Sequence, residues 1–564
     1  DIMPDNGDCE NIIYSEEYID IIIDFELYYE MPQLIAECSM PASNRQSVIY
    51  ASLLQNRITI DDKGYRFLPK CYGFLDMEAL EVTGVLALRR QPFINLYGQG
   101  VLVGIIDSGI DFRHKAFVWE DNTSKIVSVW NQEDRTGTPP EGLLYGSEYT
   151  REMLNEAIQN ENNEYASLIA NSEHGTNIAA AAAGRIIEED NFSGAAPLAE
   201  LVVVKLKQAK NIFRDYYRIS EEADAFQEND ILLGMRYILQ VAQKRNMPLV
   251  LCFGLGTNQG DHNGTGFLGE YMNYLSLTPG TYICTAAGNE SGMAHHFGGN
   301  ILSGGESQDV EILVNEETDG FTMELWGHAP STFAVQIKPP IGQFSGMIEA
   351  RFSENRTLNF LLNNSTVNII SELVERSTGD ELMFFRFINP AQGLWTVRVI
   401  QQSDNPSSFD IWLPMEEFND AGAVFLKPDP NITICEPGNA ANVITFAGSS
   451  ITGDVLYVNS SRGYTRNGRV KPDLTAPAVE VYTAMPSERI QQYGRATGTS
   501  MACAIGAGCV ALIAEWSLTN QATNSVSARN LLIRGADRSG ITVPDRSWGF
   551  GRINIYETFI DIGQ

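Results

Sequence analysis

The stretch Val101-Leu-Val-Gly-Ile-Ile-Asp107-Ser-Gly-Ile-Asp111 decides the fold. Its first six residues form an unbroken apolar run of strand length, and the run stops abruptly in a polar turn containing Gly109. Similar runs return at 201–206, 248–253 and 281–286, and a helix candidate at 231–244 is apolar at Leu232, Met235, Ile238, Leu239 and Ala242. Strands that alternate with helices predict a parallel sheet covered on both faces, an α/β domain. Ligands of such sheets meet the carboxyl ends of the strands, so the residues just after each run are the candidates for chemistry.

Working outward, the texture differs on either side of this grammar. Residues 9–75 hold an Ile-rich strand candidate at 18–25 and a second apolar stretch at 48–54, with Pro32, Pro41 and polar turns between them, which reads as a small α+β unit. From about 305 to 435 the pattern is all-β. Short alternating pieces at 309–314, 322–326, 332–337 and 393–400, punctuated by Asn, Gly and Pro, predict an inserted sandwich, in which Trp326 and Trp395 fall inside strand patterns as core residues. The α/β pattern resumes at 441–447. The expected division is therefore 1–76, 77–304, 305–435 and 436–564.

The totals agree with several domains: 564 residues, 44% hydrophobic and 10% aromatic. With 39 basic against 71 acidic residues the net charge is −32, a surface that repels nucleic acid and anionic membranes, so neither is an expected partner. No apolar run approaches about 20 residues, and the start, Asp1-Ile-Met-Pro-Asp-Asn-Gly-Asp8, has neither a basic nor an apolar leader segment. The eight cysteines are scattered without a CxxC pair, and several sit in apolar or Gly/Ala-rich runs, so all are expected to be reduced and structural. No metal and no cofactor is expected.

Four polar residues stand where chemistry belongs. Asp107 ends the first buried run; His174 opens His174-Gly-Thr-Asn-Ile-Ala-Ala, the start of an Ala-rich helix; Asn289 follows the run 281–286; Ser500 lies in Gly498-Thr-Ser-Met-Ala at the start of another helical apolar segment. Each alone has a plain reading: a turn Asp, a packing His, a turn Asn, an N-cap Ser. Together, each at a strand end or helix start of one α/β domain and flanked by glycines, they form a set with a nucleophile, a base, an orienting acid and an oxyanion donor.

Their order and motifs resemble the subtilisin-like serine proteases, whose chain order is Asp, His, Ser. The matching segments are Ile106-Asp-Ser-Gly-Ile-Asp111, His174-Gly-Thr, Ala287-Gly-Asn289 and Gly498-Thr-Ser-Met-Ala502, with support from Lys471-Pro-Asp-Leu-Thr-Ala-Pro477 and Gly549-Phe-Gly-Arg-Ile-Asn554. The resemblance implies catalytic roles for Asp107, His174 and Ser500, an oxyanion role for Asn289, and no cofactor. It further implies that Leu251, Phe253, Gly254, Leu255 and Gly256 form the edge that pairs with a protein or peptide substrate. Ala287 and Gly288 would wall the first specificity pocket, and the loop 211–229, with Tyr216, Tyr217 and Phe226 among Glu221, Glu222, Asp224 and Glu228, would rim the more distant ones. Those four acids read as a solvated face or as a preference for basic substrates. The insertion, the short N-terminal unit, the junction Leu68-Pro-Lys-Cys-Tyr-Gly-Phe-Leu-Asp76 and Ala504, where most subtilases have proline, are similar to the Csp group of clostridial germination proteases. That likeness implies a chaperoning prodomain cut off by the enzyme itself, a bracing jelly-roll, a spore-cortex hydrolase zymogen as substrate and a spore-associated or extracellular location. Some members of that group have lost triad residues and act as regulators; this chain keeps all three.

Overall fold

Eight strands build the central sheet of the computed structural model, which describes residues 9–24, 37–43, 45–56, 67–74, 83–91, 94–160, 165–168, 173–352, 354–452, 454–486 and 492–563. They are β1 (Leu102–Asp107), β2 (Ile126–Asn131), β3 (Ser147–Thr150), β4 (Glu200–Lys205), β5 (Leu249–Phe253), β6 (Thr281–Ala286), β7 (Ile444–Ser449) and β8 (Leu474–Pro477), in the spatial order 8-7-6-5-1-4-2-3. All neighbours are parallel except β2 and β3. Continuous Val, Ile and Leu runs suit these positions because helices cover the sheet. Gly104 and Ile106 of β1 face the helix α2 (Glu228–Arg245), while Asp107 faces α1 (His174–Ala183).

The helix α3 (Thr499–Thr519) packs on α1 and on β5, β6 and β7, and every residue from Thr499 to Ala514 is buried. By length and composition it is apolar enough to cross a membrane, yet most of it lies inside this core. A helix apolar all round is what a fully enclosed site demands.

Before the sheet, a three-stranded antiparallel sheet, Tyr18–Asp24, Gln46–Ser52 and Cys38–Pro41, carries the helix Cys9–Tyr14. Cys9 and Cys38 form a disulfide, which corrects the expectation that all cysteines are reduced; Cys252, Cys284, Cys435, Cys503 and Cys509 are free and buried. Scattered spacing carries no information on which two cysteines the fold brings together. This unit docks through a polar seam: the buried carboxylate of Asp20 accepts from Lys210 Nζ at 2.5 Å and from Gln227 and Asn229 side chains at 3.0 Å each. The strand candidate's end at Phe25, Pro32 and the boundary at 76/77 lie outside the described residues.

The insertion is two antiparallel sheets, of six and five strands, around their own cluster of Phe321, Phe333, Trp395 and Phe409 with neighbouring aliphatics. It begins before 305, because His296–Ile301 is the outer strand of the larger sheet, paired with Ser407–Trp412. His296-Phe-Gly-Gly-Asn-Ile301 lacks strict alternation, since Phe409 needs the space over Gly299. Trp326, Phe384, Trp412, Met415 and Phe418 belong to the core of the α/β domain instead. Tyr216 stacks on Phe384 at 5.4 Å, so the stretch 211–229 is no open rim: it holds the helix Asn211–Tyr217 and the strand Phe226–Gln227, with Tyr216, Tyr217 and Phe226 buried.

Within the sandwich, Glu381 is buried; Oε2 accepts from the N–H of Phe333 and Oε1 has no partner among the described residues. Burial pushes its carboxyl up to about 8. The folded state thus holds a proton that the unfolded chain releases near pH 4.3. The stability this contributes is full below that value and is lost as pH rises toward 8. Glu381→Gln, which carries no charge at any pH, is expected to raise the unfolding midpoint at pH 8 and leave it nearly unchanged at pH 4. The difference corresponds to roughly 3–5 kcal/mol. A midpoint shift equal at both pH values would count against a neutral Glu381.

Candidate active site

Asp107 is the last residue of β1, where the strand leaves the sheet, and its carboxylate is fully buried. Burying a carboxylate requires partners. Oδ1 accepts from the N–H and hydroxyl of Ser108 at 2.8 and 3.1 Å, and Oδ2 meets His174 Nδ1 at 2.7 Å. His174 opens α1 and is only 5% exposed. The glycine after it is needed for this approach: a Cβ on Gly175 would collide with the carbonyl oxygen of Gly109 and sit 3.1 Å from Asp107 Cβ.

Ser500 lies in the first turn of α3, which Gly498 enters at φ 149, a conformation that favours glycine. Ser500 and His174 converge on Gly254. A Cβ placed there would lie 3.1 Å from Ser500 Cβ and 3.2 Å from His174 Cε1. Asn289 is set beside them, for its Oδ1 accepts from the N–H of Thr499 at 3.1 Å and from the Thr499 hydroxyl at 3.2 Å. With the oxygen so held, the amide NH₂ is the group left to donate toward the site. The four residues from separate motifs therefore meet at the carboxyl end of the sheet, around the N-terminus of a helix.

The pairing segment differs from expectation. Leu251 and Phe253 lie in β5, Leu251 paired with β1 on one side and β6 on the other and Phe253 paired with β6, and their side chains are core. Leu251 is thus paired on both sides and lies inside the sheet, so it cannot receive a strand; a continuous apolar run does not mark where a sheet edge begins. The edge starts after Gly254, at Leu255–Gly256, which pairs antiparallel with Cys71–Phe74. The other side of Cys71–Phe74 pairs with Phe226–Gln227, through Cys71 with Gln227 and Tyr72 with Phe226. Ala287 and Gly288 follow β6, with Ala287 bonded to Phe446 and Cys435 and the Gly288 N–H donating to the Thr499 hydroxyl at 3.0 Å.

Thr499 and Phe226–Gln227 escaped sequence reasoning. Thr499 was visible as the residue before the serine; a two-residue strand leaves no periodicity to find. Glu228, grouped with exposed Glu221 and Glu222, is instead buried at the start of α2.

A parallel-sheet fold with a buried Asp–His pair facing a helix-borne serine defines the class of α/β serine peptidases. The chain belongs to the subtilase family, whose profile matches residues 98–315 and 421–551. Among solved structures it is similar to the CspB protease of Clostridium perfringens, 25% identical, with a TM-score of 0.74 and coverage of 85% of this chain and 95% of that one. Among curated proteins it is similar to C5a peptidases of Streptococcus pyogenes, 24% identical over 443 residues, 74% of this chain and 34% of the relative. A subtilisin-like protease of Arabidopsis thaliana, SBT2.3, is 32% identical over 134 residues, 21% of this chain and 16% of the relative. The chain thus spans about a third of the length of the C5a peptidases it matches.

Because a Cβ on Gly254 would crowd both Ser500 and His174, Gly254→Ala should displace them while leaving the core intact. Labelling of Ser500 by a fluorophosphonate probe is expected to slow roughly 100-fold, with an unfolding midpoint within a few degrees of the parent. An unchanged labelling rate would show that the two side chains do not converge there.

Proposed function

We propose that the chain is a self-processing serine endopeptidase of the subtilisin type. The observation that carries this reading is the strand Cys71–Phe74 laid between Leu255–Gly256 and Phe226–Gln227, in a register that leads to the Asp107–His174–Ser500 group. Gly73 stands opposite Gly256 and Phe74 opposite Leu255. In chain order Leu75 follows Phe74 as Gly254 precedes Leu255, and a Cβ on Gly254 would meet both Ser500 and His174; Leu75 itself lies outside the described residues. The bond assigned for self-cleavage is therefore Leu75–Asp76.

In this reading Ser500 Oγ attacks the Leu75 carbonyl while His174 Nε2 takes its proton and returns it to the departing amine of Asp76. Asp107, at 2.7 Å from Nδ1, keeps the imidazole proton on that side and stabilises the imidazolium. The Asn289 amide and the Ser500 N–H receive the oxyanion at the positive end of α3. Water then releases the acyl group by the same steps in reverse. Protein or peptide substrates would add a strand where Cys71–Phe74 lies, since backbone pairing on both sides fixes the scissile bond while side chains select.

The likeness to the CspB protease extends the proposal to the substrate class that the Csp resemblance implies, a spore-cortex hydrolase zymogen, and to a spore-associated or extracellular location. The Cys9–Cys38 disulfide supports an oxidising compartment. The two-sided pairing of Cys71–Phe74 also favours a second reading, a regulator whose N-terminal unit stays in the cleft and blocks it.

Intact-mass spectrometry separates the two. The parent chain should yield a fragment beginning at Asp76, Ser500→Ala should stay whole and unlabelled by a fluorophosphonate, and Asn289→Ala should slow conversion on the order of 10²–10³-fold. A parent chain that stays whole and refuses the probe would establish the regulator instead.

A further inference from the structure

Upstream of the cleft-bound strand the chain runs on to Lys70, which is only 5% exposed and lines a pocket rather than the outer surface. Glu228 holds the main chain there, its N–H donating to the Lys70 carbonyl at 2.9 Å and its Oε2 accepting from the Lys70 N–H at 3.4 Å. The same Oε2 lies 3.9 Å from the Lys70 ammonium. Asp261 and Glu436, both buried, line the pocket with them, as do Trp326 and the buried Glu375 of the inserted sandwich; its volume is about 30 Å³.

The acids are held in place by the protein itself. Glu436 Oε1 accepts from the N–H of Gly264 at 2.9 Å, Asp261 Oδ1 from the N–H of Asn263 at 2.9 Å, and Glu228 Oε1 from the N–H of Leu268 at 3.1 Å. Burial and the neighbouring Asp261 push the Glu436 carboxyl well above the usual range, and the Lys70 charge works in the opposite direction. With Glu375, four carboxyl groups are gathered out of water and are costly without cations; Arg469 acts on Glu436 and Asp261 from outside the lining, and the cation that lines the pocket, Lys70, is carried by the segment that occupies the cleft.

We propose that this pocket is a specificity subsite for a lysine or arginine side chain, five residues before the residue whose carbonyl is attacked. It acts on the chain's own N-terminal segment and on any protein substrate that replaces it. This rests on the peptidase reading above. The sandwich then has a recognition role besides its packing role, because Trp326 and Glu375 form one wall. Glu228, read from sequence as one of four acids that form a solvated face or favour basic substrates, becomes the residue that fixes both the backbone and the charge of the substrate at that position.

The test follows self-conversion of the full chain by intact mass in Lys70→Arg, Lys70→Met and Lys70→Glu. Each is paired with its Ser500→Ala counterpart, whose unfolding midpoint shows whether the uncut chain folds. Arg should convert within about threefold of the parent, Met about tenfold or more slowly, and Glu more slowly still. In a Glu436→Gln background the advantage of Lys over Met should shrink. Equal rates for Lys, Met and Glu would overturn the proposal, as would slowing matched by a collapse of the midpoint in the paired Ser500→Ala chain. A parent chain that never converts fails differently, removing the peptidase reading and this inference with it.

Discussion

A carboxylate with no access to water, Asp107, sets the terms for the rest of the structure. At the end of a central strand it must be matched by donors, and the fold supplies Ser108 and His174. Meeting that need pins the start of α1 to the end of β1, at a distance only Gly175 permits. Because α1 in turn packs on α3, the serine at the start of α3 is positioned by the same constraint. The catalytic candidates are thus placed by the most deeply buried part of the molecule, not by its loops, which favours precise geometry over adaptability.

Much of this was legible in the sequence, for reasons that can be named. Buried parallel strands leave unbroken apolar runs, and the four polar residues sit beside glycines that close approach requires. What escaped was information that only three-dimensional pairing holds. The run containing Leu251 and Phe253 looks the same whether it is central or at an edge; the hydrogen bonds of β1 and β6 decide. The union of Cys9 with Cys38 depends on how the N-terminal sheet folds. The buried Glu228 is met by Lys70, 158 positions away, and by Leu268, partners that leave no local mark.

The insertion is joined to the α/β domain more intimately than its separate strand pattern implied. Its smaller cluster is its own, yet Trp326, Phe384 and Trp412 face the other way and complete the main core. Arg466, from the resumed α/β part, reaches back to the Gly327 carbonyl at 2.7 Å and to Asp380 at 2.8 Å. His262 stacks on Trp412 with ring centroids 4.0 Å apart. These contacts come from both flanks of the insertion, so the two parts are braced against each other rather than hinged.

The position of α3 has a consequence for the order in which the molecule comes into being. During synthesis the strands β1 to β6 emerge first, then the sandwich, and only afterwards β7, β8 and the helix that bears Ser500. Closing the parallel sheet across that interval brings together residues far apart in the chain, a slow kind of assembly. The segment that will lie in the cleft is made near the beginning and the serine near the end. A growing chain therefore lacks the candidate serine until its sandwich has been made, and by then the strand that pairs in its cleft has long been available to occupy it.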